Sequence, residues 1–223
     1  MFSIALLLIC SAVGSQGQGT FGNLDFESAN VPDLPPGQGE VGVSAANAFP
    51  SWVAYYDNGL ASLIGHNTLS LAGAALCIEG PQYSSSYILQ GQYTAYLVGD
   101  HAPPGGTAGP NSTALAQVGQ IPATALSLRF LISPGSLFQV TFGSTTLPVT
   151  DLGGTSKFRL VGADISQFAG QTGELRFTAS PNAGGYLDLI TFSQVPIPEP
   201  SCLTMVALGV GVLLLRTVKG QVV

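Results

Sequence analysis

The sequence predicts an all-β body, a two-sheet antiparallel sandwich, with an apolar helix at each terminus of the chain. Three observations lead there. Short runs rich in β-branched and aromatic residues alternate in hydrophobicity with a period of two, as half-buried strands do. Gly and Pro, 29 and 15 of the 223 residues, interrupt those runs before they reach helical length. The most apolar uncharged stretches, residues 2–13 and 201–215, lie at the two ends and not in the body.

Taken in order, residues 52–56 and 60–64 flank Asp57-Asn58-Gly59. Asn-Gly between alternating runs predicts a hairpin, because both turn residues need positive φ. Further strands are expected over 68–78, 87–98, 113–118, 125–132, 137–142, 157–161, 174–179 and 186–195. That makes about ten short strands, the count of a sandwich. The alternation assigns faces. Leu126, Leu128, Phe130 and Ile132 share an inward side and Arg129 faces water, while Leu175, Phe177 and Ala179 oppose Glu174, Arg176 and Thr178. Loops are expected over 32–39, 100–112 and 180–185, where Pro and Gly cluster.

Residues 1–18 read as a signal peptide, an apolar core followed by small and polar residues, with cleavage by a signal peptidase near Ser15 to Gly19. Cys10 is preceded by Ile9, where a lipobox has Gly, Ala or Ser. Residues 19–195 form the body and 196–223 a tail. Within the tail, residues 201–215 carry no charge and are followed by Arg216 and Lys219, the order of a stop-transfer segment. A helix of that length rises about 22 Å against a hydrocarbon core of about 30 Å, a gap that bilayer thinning or snorkelling of Arg216 closes. The expectation is a transmembrane helix in the inner membrane, occupied transiently.

The body is poor in charge. Eleven Asp or Glu stand against Arg129, Lys157, Arg159 and Arg176, too few cations to neutralise a phosphate backbone, which argues against nucleic acid as a partner. Cys77 is the one cysteine between the terminal segments and reads as a small buried hydrophobe. His66, expected in a turn, and His101, in the loop, read as solvated. The sequence holds no nucleophile elbow, no phosphate-binding loop and no zinc-binding His pair, so a non-enzymatic role is expected. A polysaccharide-processing enzyme built on two carboxylates is the least supported alternative. Trp52, Tyr55 and Tyr56 are candidates for a glycan-binding, lectin-like surface, with the restriction that Tyr55 and Tyr56 face opposite sides of one strand.

The segment Val195-Pro196-Ile197-Pro198-Glu199-Pro200-Ser201, with the apolar run and Arg216 beyond it, resembles the PEP-CTERM sorting signal of exported Gram-negative bacterial proteins. The resemblance implies processing by an exosortase-type sorting enzyme and delivery to the cell surface or to extracellular polysaccharide. Pro198, Glu199, Pro200 and Arg216 are then the motif residues. The body is similar, more loosely, to jelly-roll carbohydrate-binding domains. The likeness is carried by Asn23-Leu24-Asp25-Phe26-Glu27, Phe49-Pro50-Ser51-Trp52, Tyr186-Leu187-Asp188-Leu189-Ile190 and the connecting run 162–172. It implies pairing of the first and last strands and a structural calcium held by Glu27 and Asp188; no other cofactor is required. The family usually has an acidic pair where this chain has Asp188-Leu189.

Overall fold

The computed structural model describes residues 19–33, 41–67, 75–81, 87–100 and 111–198. Residues 1–18, read as a signal peptide, the apolar run 201–215, His101, and Glu199, Pro200 and Arg216 of the expected motif lie outside them. Among the described residues no helix is long and apolar enough to cross a membrane.

In chain order the elements are β1 (Val41–Ser44), a one-turn helix α1 (Ala45–Ala48), β2 (Val53–Tyr56), β3 (Gly59–Leu60), β4 (Leu63–His66), β5 (Leu76–Glu79) and β6 (Thr94–Val98). There follow β7 (Thr113–Gln120), β8 (Ser127–Ile132), β9 (Gln139–Phe142), β10 (Thr145–Leu147), β11 (Thr150–Gly154) and β12 (Arg159–Asp164). A 3-10 turn over Ser166–Phe168 precedes β13 (Thr172–Ala179) and β14 (Gly184–Ser193). They form an eight-stranded sheet in the order β1-β4-β5-β6-β14-β8-β12-β11 and a six-stranded sheet in the order β10-β9-β13-β7-β2-β3. This is the expected all-β, two-sheet sandwich.

Alternation explains why the sheets stack. In β8, Leu128, Phe130 and Ile132 are buried on one side, and in β13, Leu175, Phe177 and Ala179 are. Phe130 and Phe177 meet edge-to-face across the interior, ring centroids 5.1 Å apart at 80°. Trp52 closes on Phe177 from β2's leading end, at 6.1 Å. Such pairing of quadrupoles adds to the area each ring removes from water.

Several expectations need correction. Leu126 precedes β8 and is 38 % exposed, although its N–H still bonds Ser193 O of β14. The run 60–64 is two strands: β3 pairs β2 in one sheet, and the chain then crosses at Ala61 and Ser62 so that β4 joins the other. Positive φ in the hairpin falls on Asp57 (52°) and not on Asn58 or Gly59, because the two-residue loop is Asp57-Asn58 with Tyr56 opposite Gly59. The sandwich is antiparallel except for β4 against β5, which run parallel. His66 is 3 % exposed within β4, so it is not a solvated turn residue. Burial lowers its pKa, opposed by the charge of Asp33, and among the described residues its Nδ1 has no hydrogen-bond partner.

Candidate functional site

The N-terminal segment folds across one end of the sandwich. Gln117 clamps it, accepting from Gly22 N at 2.6 Å and donating to Gly22 O at 2.9 Å. Two positive-φ residues, Asn23 and Phe26, then turn the chain so that Phe26 is fully buried and Glu27 points at the loop between residues 90 and 93. Glu27 Oε1 accepts from Gln92 N (2.8 Å) and Tyr93 N (3.1 Å). Gly91 lies so close to this carboxylate that a Cβ there would collide with it, and its φ of +62° is in the left-handed region that favours glycine.

Asp188 grips the same loop from the other side. A bulge in β14 shifts the register between Asp188 and Thr191, with Leu189 at φ +46°, and hands Ile190 N to Leu24 O at 2.8 Å. Asp188 is fully buried. Its Oδ2 accepts from Thr94 Oγ1 (2.7 Å) and Gln90 N (3.0 Å), and its Oδ1 from Leu189 N (2.7 Å). Burial pushes its carboxyl up to about 7, against the pull of those hydrogen bonds and with a smaller push from Glu27. Glu27 and Asp188, the residues named for calcium, thus both bind the loop of residues 90–93.

Their donors do not fit the ion. Calcium takes six to eight oxygens. Three of the four carboxylate oxygens here already face N–H or O–H groups, which carry the same sign of charge as a cation. Among the described residues no third acidic, His or Cys side chain completes a cluster. The backbone amides of Gln90, Gln92 and Tyr93 supply the positive partial charge that these carboxylates face.

The aromatic candidates do not share a surface. Trp52 is core, 6 % exposed, its Nε1 donating to Asn23 O at 2.9 Å. Tyr56 packs on the interior. Tyr55 faces outward from the six-stranded sheet, but the Arg176 guanidinium lies over its ring at 4.2 Å, occupying the face a sugar would stack on. A different aromatic group forms on the outer side of the eight-stranded sheet. Tyr186 of β14 stands opposite Tyr96 of β6 (4.9 Å between centroids) and against Tyr87 (5.2 Å). Beside them opens a hollow of about 680 Å³ lined by Tyr87, Tyr186, Leu89, Ser133, Ser156 and Lys157. Alternation along β14 and β6 places Tyr186 and Tyr96 outward, but nothing in the sequence indicates that those strands are neighbours.

Of the residues named for a sorting motif, Pro198 is described and is exposed, just beyond β14. The residues leading to it are not loose. Arg129, expected to face water, is half-buried and donates through Nη2 to Val195 O (3.1 Å) and Pro196 O (3.4 Å). It points away from the core, as alternation requires, but the chain returns over it.

The fold and these clusters define an all-β sandwich in which residues 194–196 after the last strand are bonded back to the body. No family model matches the chain, no curated protein matches it, and no solved structure does.

Proposed function

We propose that this chain is an exported, non-enzymatic protein of the cell surface or extracellular matrix, delivered through its C-terminal sorting tail. Its body is a jelly-roll domain with a structural or adhesive role in secreted polysaccharide. One observation carries the reading: the body's last strand ends at Ser193 and the sequence Pro198-Glu199-Pro200 follows within a few residues, ahead of the apolar run and Arg216. A residue that precedes proline is biased to extended backbone, so the sequence Pro-Glu-Pro suits a protease cleft that reads an extended peptide. The jelly-roll reading is supported by the winding. From β6 to β9 each successive strand changes sheet, β13 and β14 do so again, and β14 enters between β6 and β8.

Glu199→Ala provides the test. In a host carrying an exosortase, the unsubstituted chain is expected to lose its tail and leave the membrane fraction, and the variant to stay full-length and membrane-bound. Equal processing of both would overturn the reading.

For the contact with polysaccharide, the hollow beside Tyr87 and Tyr186 is favoured over the Trp52 and Tyr55 surface. It joins ring faces to hydroxyls and one ammonium group, the mixture by which sugars are bound. Tyr87→Ala is expected to weaken binding to the host's extracellular polysaccharide about tenfold, the value of one good aromatic contact. Affinity electrophoresis in gels containing that polymer measures this, and mobility unaffected by the substitution would exclude the hollow.

A further inference from the structure

We infer that the body straps down the approach to the sorting motif, so that the motif becomes available to its processing enzyme only when the strap lifts. This rests on the sorting function proposed above and adds to it a control exerted by the folded domain. The strap is built residue by residue after β14. Gln194 Nε2 donates to Thr124 Oγ1 at 3.1 Å. Val195 O accepts from Ser127 Oγ at 2.6 Å and from Arg129 Nη2 at 3.1 Å, and Pro196 O accepts from the same nitrogen. Arg129 has donors alone, so its Nε, 3.1 Å from Ser127 Oγ, obliges that buried hydroxyl to accept there and to donate to Val195. Ile197 then settles over Gly162. A Cβ at that glycine would come within 2.6 Å of the Ile197 Cδ1 and 3.0 Å of the Leu152 Cδ1, so the absence of a side chain makes the seat.

The consequence is one of reach. Pro198, the first residue of the Pro-Glu-Pro sequence, directly follows Ile197, so its Cα lies about 3.8 Å from that of a residue packed on the sheet. An enzyme that reads an extended peptide pairs with backbone on both sides of the recognition residue. Here the carbonyls on the N-terminal side are turned to Arg129. Arg129 and Gly162 are thus positioning residues for the sorting step.

The test is pulse-chase processing of the full chain in an exosortase-carrying host, comparing the unsubstituted protein, Arg129→Ala, and a form with a short Gly-Ser spacer inserted after Ile197. Losing a charged donor to two carbonyls is expected to raise the open fraction, and the processing rate, roughly tenfold. The spacer is expected to speed processing similarly, and Arg129→Ala to add little on top of it. A merely damaged fold would not show that non-additivity. Processing of the unsubstituted chain with Arg129→Ala equal or slower would overturn the strap alone. No processing of any form, where a known substrate is processed, would sink the sorting function and the strap with it.

Discussion

Truncating Phe177 to alanine is expected to destabilise the body by roughly 3–5 kcal/mol, the range for a large aromatic removed from a packed interior. Phe177 is fully buried on β13, which lies between β7 and β9. Its ring meets Phe130 of the opposite sheet and Trp52 just before β2, so its loss leaves a void at the centre of the sandwich that neither neighbour can fill. A domain of this size is stable by about 5–15 kcal/mol, so the variant keeps little margin. Arg176→Ala, one residue away on the outer face, removes only a part-exposed pairing with Glu174 and the contact with Tyr55, and is expected to cost under about 1 kcal/mol. Urea denaturation followed by circular dichroism separates the two. Equal midpoints would mean that the sheets do not pack as described.

Asp188→Ala is expected to cost roughly 3–5 kcal/mol at pH 5, since it leaves Gln90 N–H, Leu189 N–H and the Thr94 hydroxyl without their acceptor, at about 1–3 kcal/mol for each buried group. Stability should also depend on pH through this residue. Its folded pKa of about 7 lies above the ordinary 3.8. Between those values the folded chain binds a proton that the unfolded chain has released, so stability falls as pH rises and levels off above about 7. The loss across that window is at most roughly 4 kcal/mol. Asp188→Asn, which cannot titrate, should flatten the profile. Melting curves from pH 4 to 8 read all three proteins. A chelator, or millimolar calcium, is expected to leave the curves unmoved, because backbone amides already serve both carboxylates. A clear calcium-dependent rise in Tm would restore the ion to Glu27 and Asp188.

Where one face meets the core and the other does not, the pattern of residues was enough. The run around Phe177 alternates throughout and that around Phe130 does so up to Leu131, which is buried on the other face, and both strands stand where the pattern puts them. The hidden parts are those whose cause lies elsewhere in the chain. Strands β10 and β11 are short and are held by β9 and β12, and nothing local marks β3 and β4 as belonging to different sheets. Pairing of Glu27 with Asp188 was implied by resemblance, yet their partners are largely main-chain N–H groups, which have no signature in a sequence. The same holds for Arg129. Alternation turns it away from the core, while the carbonyls that cover it come from residues 66 and 67 positions later.

The account depends on the terminal segments being addresses that are removed. Intact mass spectrometry of the protein recovered from the cell surface of its own host tests this most directly. The expected species begins near Ser15 to Gly19 and ends close to Pro198, Glu199 and Pro200. A single species with the mass of all 223 residues, found in the cytosol, would contradict it.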